Sequence, residues 1–108
     1  MTEIEIVKNG GEYRGFECHG HAGFKKSGKD IVCSAVSVLT INTVNSIDHL
    51  LEDEISVTTN EKEGDMQCYF LNKPSKEAKL LIDSMILGLE SISAQYGAKY
   101  LKIVIKEV

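Results

Sequence analysis

The chain has 108 residues, 43% of them hydrophobic, which is enough to bury one core and too little for two domains. We therefore expect a single domain over residues 1–108. Its 16 acidic and 12 basic side chains give a net charge of −4, which argues against direct nucleic-acid binding, because phosphate neutralisation needs clustered Lys and Arg. The same charge suits a basic protein partner.

The N-terminal residues and the cysteines indicate where the protein works. Residues 1–7 alternate between polar and apolar types, unlike a signal peptide, and no uninterrupted apolar stretch approaches the ~20 residues of a membrane span. The three cysteines form no CxxC pair, which favours reduced thiols over a disulfide framework or a zinc ribbon. We expect a cytoplasmic protein with no membrane partner.

The first predicted element is a strand over residues 2–8, in which Ile4 and Ile6 alternate with other side chains. Asn9-Gly10-Gly11 is typical of a hairpin turn, because glycine adopts a left-handed backbone without steric cost. A second strand over residues 13–21 is therefore expected to pair antiparallel with the first.

A helix is predicted from Ile31 to Leu51, and Asp30 is well placed to cap its first N–H groups. One side of this helix has residues at three-to-four spacing: Val32, Val36, Leu39, Thr43, Ile47 and Leu50. Another side carries Val38, Ile41 and Val44, and a helix that is apolar around most of its circumference needs cover on more than one side. We therefore predict a homodimer in which a second subunit covers this helix.

The second half of the chain repeats the pattern of hairpin and helix. Strands over residues 55–59 and 66–70 flank a polar turn, and a final strand covers residues 101–106. Between them, a helix opens at Ser75 and stops near Gly97. Its expected buried stripe is Ala78, Ile82, Met85, Leu89, Ile92 and Tyr96. The order β-β-α-β-β-α-β predicts an α+β fold, a two-layer sandwich with a mostly antiparallel sheet and two helices on one face.

The residues with the clearest chemistry flank a glycine-rich stretch, residues 20–29, which we expect to be a mobile loop. Cys33 falls in the first turn of the following helix, where N–H groups without intrahelical partners stabilise a thiolate. His21, at the start of the stretch, would complete its activation as a base. Ser37 and Thr40 lie on the helix face of Cys33, so Cys33 is a candidate nucleophile in a polar setting.

Other polar side chains have structural explanations. Cys18 and Cys68 lie on the apolar faces of predicted strands, which favours core packing. His19 is expected to face solvent, and His49 is a cation favoured by the end of its helix. A zinc site built on Cys18, His19, His21 and Cys33 is disfavoured, because adjacent strand residues point to opposite faces and Cys18 cannot easily share a metal with the two histidines. We therefore predict no metal and no cofactor.

Two short strings carry a resemblance to a known family. Gly20-His21-Ala22-Gly23-Phe24 is followed, after a glycine-containing spacer, by Asp30-Ile31-Val32-Cys33-Ser34-Ala35-Val36-Ser37. This pattern resembles the signature of the ribosomal-processing cysteine proteases called Prp. The resemblance extends over nearly the whole chain in length and in element order, although its specific part is confined to residues 20–37.

The resemblance implies that Cys33 is the nucleophile and that His21 is the general base. The other positions that match the motif are Asp30, Ser37, Gly20 and Gly23, and the implied substrate-binding loop includes Ala22 and Phe24. Asp30 has two possible uses, since an acidic residue there can orient the histidine or cap the helix. The residues leave both uses open.

The resemblance also implies a function. Members of this family are small homodimers that remove a short N-terminal extension from the bacterial large-subunit ribosomal protein L-twenty-seven. The implied activity is that of a cysteine endopeptidase that supports ribosome assembly. Two alternatives stay open: a non-catalytic dimeric ribosome-assembly factor that binds a basic ribosomal protein, and a redox-sensing thiol.

Overall fold

The computed structural model describes residues 2–20, 31–60 and 63–108. Its elements, in chain order, are β1 Thr2–Asn9, β2 Glu12–His19, α1 Ile31–Leu50, β3 Ile55–Asn60, β4 Asp65–Phe70, α2 Lys76–Tyr96 and β5 Leu101–Glu107. The predicted order of elements and the α+β class are confirmed, with helix and strand ends within a few residues of those expected.

The strands form one sheet in the order β3-β4-β2-β1-β5. The two hairpins, β1 with β2 and β3 with β4, are antiparallel, and β4 adds antiparallel to β2. Strand β5 pairs parallel to β1, because helix α2 returns the chain across the sheet before β5 begins. The first hairpin turns at Gly10 and Gly11, whose φ angles of 58° and 84° need the left-handed backbone that glycine allows.

One face of the sheet and both helices enclose the core. The buried apolar side chains that the sheet contributes to this core are Ile4, Ile6, Phe16, Cys18, Cys68 and Leu101. Those of the helices are Val32, Val36, Val44, Ile47, Ala78, Ile82, Met85 and Leu89. The opposite face of the sheet is polar and presents Glu5, Glu17 and His19. The period-two pattern of the sequence therefore assigns the inner and outer faces of β1 and β2 correctly.

Both ends of α2 follow the predicted capping chemistry. The Ser75 hydroxyl oxygen accepts a hydrogen bond from the Ala78 N–H at 3.1 Å and donates one to Asp53 Oδ1 at 2.6 Å. At the other end, the Gly97 N–H donates to the Ser93 carbonyl at 2.8 Å. The Ser75 N–H also donates to Asp53 Oδ2 at 2.8 Å. Because Asp53 follows α1, these two bonds to its carboxylate tie the end of the first half of the chain to the start of α2.

The sequence assigned two positions of α1 to the wrong environment. Leu50 is exposed rather than buried, because α1 ends there and the next residue, Leu51, packs against the core instead. Val44 is buried within the chain itself, so it needs no second subunit as cover. The apolar side chains of α1 that stay exposed at its centre are Val38, at 67% of its full exposure, and Ile41, at 49%.

Helix α1 is long and apolar enough, by length and composition alone, to cross a membrane. The core helix of a soluble protein meets the same test. In this fold, Val32, Val36 and Ile47 of α1 pack into the core between the helices and the sheet. The absence of a membrane partner stays a prediction.

Gly15 of β2 sits where two strands approach closely, and it yields a stability prediction. A Cβ atom at Gly15 would lie 2.9 Å from the Cα of Tyr69 and would collide with the Cys68 carbonyl oxygen. We expect Gly15→Ala to lower the free energy of unfolding by about 3 kcal/mol, because backbone atoms of β4 cannot move aside. Urea denaturation measures this loss.

The control is Gly10→Ala in the hairpin turn, where a Cβ atom would meet nothing within 4 Å. The loss there should be about 1 kcal/mol, because only the left-handed backbone is penalised. Equal losses of unfolding free energy at the two positions would contradict this explanation, because they would show that the short distance between β2 and β4 does not require glycine at position 15.

Candidate active site

Cys33 is the third residue of α1 and is half-buried at the edge of a cavity of about 330 Å³. Helix α1 forms one wall of this cavity, with Cys33, Val36, Ser37, Thr40 and Ile41. The strands and their ends form the other walls, with Thr2, Cys18, Gly20, Thr59, Gly64, Asp65 and Met66. The thiol therefore lies where the N-terminal half of α1 meets one end of the sheet.

The helical period explains why α1 places several polar side chains in the wall of the cavity. Cys33, Ser37 and Thr40 lie at i, i+4 and i+7, so the cavity takes all three from one stripe of α1, as the spacing predicts. The Thr40 hydroxyl donates to the Val36 carbonyl at 2.9 Å, so its donor is satisfied within the helix. Ser37 is exposed at the rim, which fits the predicted place of a residue lining the site.

Asp65 of β4 holds the chain that leads to His21. The Gly20 N–H donates to Asp65 Oδ1 at 3.3 Å, and Gly20 has a φ of 78°, which glycine adopts without strain. The bend at Gly20 is therefore tied to the neighbouring strand immediately before the predicted base. Asp65 also lines the cavity that contains Cys33. It therefore lies near the predicted nucleophile, and its carboxylate binds the backbone of Gly20, the residue before the predicted base.

The other predicted residues of the glycine-rich stretch lie outside the described part of the chain. These are His21, Ala22, Gly23, Phe24 and Asp30, and the expected mobility of the loop belongs to the same segment. Their roles, and the choice between the two uses of Asp30, stay predictions.

Cys18 and Cys68 behave as core residues, as predicted. Burial raises the pKa of the Cys18 thiol to about 12 and that of the Cys68 thiol to about 11, because a thiolate is poorly solvated in the core. Both stay protonated at neutral pH, and both are almost completely buried. Cys33 is the remaining cysteine and the more accessible one, which suits a nucleophile that must reach a peptide.

His19 belongs to a charged cluster on the outer face of the sheet, where it faces solvent as predicted, although its side chain is half-buried. Its Nε2 lies 2.9 Å from Glu17 Oε1 and 3.2 Å from Glu5 Oε2, and its Nδ1 lies 3.6 Å from Asp65 Oδ1. Burial lowers the pKa of His19, but the hydrogen bond to Glu17 and the three negative charges outweigh it and raise that pKa above its usual value.

The cluster has the donor set of a metal site, since Glu5, Glu17 and His19 each offer one ligand atom within 4.8 Å of the others. A protonated His19 between carboxylates explains the same arrangement without an ion, and exposed acidic groups are common without one. Cys18 and His19 point to opposite faces of the sheet, which agrees with the argument against a shared zinc ion. His49 is exposed at the end of α1, 3.8 Å from Asp48.

Sequence reasoning missed the cavity residues that the strands contribute. Thr2, Thr59, Asp65 and Met66 are far from Cys33 in sequence and belong to three different strands. Only the order of strands in the sheet brings them together, and local pattern does not encode that order. No motif in the sequence marks these four residues.

Comparison with known families identifies this arrangement. The family model of cysteine protease Prp matches residues 1–102. The chain belongs to this family. It is therefore a cysteine protease, and the resemblance drawn from residues 20–37 is confirmed.

The Prp relatives cover most of the chain. The ribosomal processing cysteine protease Prp of Bacillus subtilis is 34% identical over 85 residues, which are 75% of this chain and 76% of that protein. The Staphylococcus aureus protein of the same name is 26% identical over 98 residues, 90% of this chain and 92% of the relative.

Solved structures share the fold over the full length. The crystal structure of S. aureus Prp with a covalently linked product peptide has a TM-score of 0.92 at 24% identity, over 98% of this chain and all of that one. A crystal structure from Streptococcus mutans has a TM-score of 0.84 at 28% identity, over 100% of this chain and 96% of that one. The two-layer architecture is thus that of the Prp family.

Proposed function

We propose that this protease removes the N-terminal extension of the large-subunit ribosomal protein L-twenty-seven, with Cys33 as nucleophile and His21 as general base. The observation that carries the proposal is the position of Cys33, half-buried in the first turn of α1 at the edge of a cavity. The relatives from B. subtilis and S. aureus bear the name of ribosomal processing proteases, and S. aureus Prp has been crystallised with peptides.

The chemistry follows from these roles. His21 takes the proton of the Cys33 thiol, and the thiolate attacks the carbonyl carbon of the scissile peptide bond. The first N–H groups of α1 have no partners within the helix, so they are suited to stabilise the oxyanion that forms. The C–N bond then breaks, and the protonated His21 gives its proton to the leaving amine. Water, deprotonated by His21, hydrolyses the thioester and restores Cys33.

The surface and the cavity support a basic peptide substrate with an apolar segment. A net charge of −4 attracts the basic chain of a ribosomal protein. The cavity beside Cys33 offers Val36, Ile41 and Met66 as apolar walls. The substrates implied by the family resemblance carry aromatic side chains near the cleavage point, and such side chains suit apolar walls.

Two further proposals concern the protein in the cell. We propose that it acts in the cytoplasm, where ribosomes assemble and where cysteines stay reduced. We also propose that it works as a homodimer, because Val38 and Ile41 leave an apolar surface on α1 without cover in the single chain. The non-catalytic alternative is no longer favoured, since the family is one of proteases.

A peptide assay tests the proposed activity. The protein is incubated under reducing conditions with a peptide that spans the extension and the first residues of L-twenty-seven from the same organism, and the products are weighed by mass spectrometry. We expect one cut, at the end of the extension, and no cut in a peptide with the same residues in scrambled order. An uncut extension peptide in the presence of folded protein would refute the substrate.

A further inference from the structure

The chain leaves β2 through a bend at Gly20 that a side chain holds. Strand β2 ends at His19, and its backbone pairing with β4 ends one residue earlier, at Cys18 and Met66. Gly20, with a φ of 78°, therefore lies beyond the last of these pairs. Its N–H donates to Asp65 Oδ1 at 3.3 Å, so a carboxylate from the neighbouring strand takes the place of a backbone acceptor.

Asp65 is itself held by His19. The Nδ1 atom of His19 lies 3.6 Å from Asp65 Oδ1. On the other side of the ring, Nε2 lies 2.9 Å from Glu17 Oε1 and 3.2 Å from Glu5 Oε2. Because carboxylates face both ring nitrogens, the cationic form of His19 is favoured, and it attracts all three of them. Strands β1, β2 and β4 each supply one of these carboxylates, so the cluster fixes Asp65 relative to the sheet.

Strand formation alone does not explain an aspartate at this position. Asp65 is the first residue of β4 and lies opposite Asn60 of β3. Aspartate is among the residues that strands disfavour. Its Oδ1 atom makes both contacts, since it accepts the hydrogen bond from the Gly20 N–H and faces His19 Nδ1. The side chain is therefore oriented toward the bend at Gly20.

The bend matters for catalysis because the residue bonded directly to Gly20 is His21, the predicted base. A general base must come within about 3 Å of the group whose proton it takes, and a displacement of about 1 Å can lower a rate about 100-fold. A hydrogen bond that holds Gly20 therefore limits where the backbone of the base can begin.

We propose that Asp65 is a positioning residue for peptide cleavage, because its carboxylate, held by His19, fixes Gly20 and with it the start of the segment that carries His21. Asp65 acts through the backbone of Gly20 and takes no part in proton transfer. What the enzyme needs at position 65 is thus an oxygen that accepts a hydrogen bond. This inference rests on the proposed role of His21 as general base.

Two substitutions of Asp65 test the proposal. Asp65→Ala and Asp65→Asn both remove the negative charge, but only asparagine keeps an oxygen that can accept the hydrogen bond from Gly20. We expect Asp65→Ala to lower kcat for the extension peptide about tenfold, with KM within about twofold of the wild-type value. Asp65→Asn should restore kcat to within about twofold of the wild type. An equal loss in both variants, or no loss in Asp65→Ala, would overturn the proposal.

The matched control is Gln67→Ala. Gln67 lies two residues along β4 from Asp65 and so on the same face of the sheet, where its Nε2 is 3.5 Å from Glu17 Oε1. This variant should keep the wild-type kcat, because Gln67 does not hold the bend. Urea denaturation of all variants separates a loss of folded protein from a loss of kcat. A tenfold loss in Gln67→Ala as well would show that any truncation on this face lowers kcat, and would overturn the role of Asp65.

Alkylation of Cys33 by iodoacetamide tests the proposal without a peptide. A base that is in place takes the proton of the thiol, so its displacement lowers the fraction of reactive thiolate. We expect the alkylation rate at pH 7 to fall about fivefold in Asp65→Ala and to stay at the wild-type value in Asp65→Asn. This pattern in a protein that does not cut the extension peptide would refute the substrate and support the role of Asp65. An unchanged rate in Asp65→Ala would overturn that role.

Hydrogen exchange in the wild type decides the proposal even if Asp65→Ala does not fold. The Gly20 amide should exchange at least about tenfold more slowly than an amide in an unfolded chain, because Asp65 accepts its hydrogen bond. NMR measures this rate for the single residue. Exchange at the rate of an unfolded chain would overturn the proposal.

Discussion

Cys33→Ala and Cys33→Ser should each lower kcat/KM for the extension peptide by about 10⁴-fold or more, while the protein stays folded. Alanine removes the nucleophile, and a serine hydroxyl is too weakly acidic to replace a thiolate at neutral pH. The fold should tolerate both changes, because Cys33 is small and only half-buried. Mass-detected cleavage and a urea denaturation curve measure the two effects.

The other cysteines provide the control for this prediction. Cys18→Ser and Cys68→Ser place a hydroxyl in the core, so they should lower the free energy of unfolding by about 1–3 kcal/mol and leave the activity of the folded protein near that of the wild type. Iodoacetamide at neutral pH should add one label to the native wild type and none to Cys33→Ala. Cleavage by Cys33→Ala would show that the nucleophile is another residue.

Much of the fold could be predicted because its signals are local. Alternation along β1 and β2 gives the inner and outer faces of the sheet, since the side-chain period of a strand is two. The turn at Gly10 and Gly11 and the caps at Ser75 and Gly97 depend on the chemistry of single residues. These features need no knowledge of distant partners.

The features that could not be predicted depend on tertiary packing. Leu50 and Val44 have side chains that suit a buried stripe equally well, and the point at which α1 leaves the core decides which of them is covered. Thr2 and Asp65 share a cavity with Cys33 only because β1, β2 and β4 are neighbours in the sheet. The place of Cys33 in the first turn of α1 could be predicted, because a helix start and a short motif are both local.

The exposed side of α1 is the surface on which we predict that a second copy of the chain binds. Val38 and Ile41 border a shallow groove together with Ser37, Asn42 and Asn45. Ser37 and Ile41 also line the cavity of Cys33. A subunit that packs against Val38 would therefore lie beside the active site, and its loss would affect the binding of substrate.

We expect Val38→Asp to raise the dissociation constant of the homodimer about 100-fold or more, because the interface would then bury an unpaired carboxylate. Sedimentation velocity at micromolar concentration should show a species of twice the chain mass for the wild type and an 11.9 kDa species for the variant. The variant should also have a higher KM for the extension peptide, since Ser37 and Ile41 border both surfaces.

Leu87→Asp is the matched control for this prediction. Leu87 lies on α2 and is 68% exposed, against 67% for Val38, so the two changes place the same charge at equally accessible helix positions. The Leu87→Asp protein should stay dimeric, because α1 rather than α2 carries the predicted interface. A wild type that sediments at 11.9 kDa would rule out the dimer, and equal dissociation of the two variants would place its interface elsewhere.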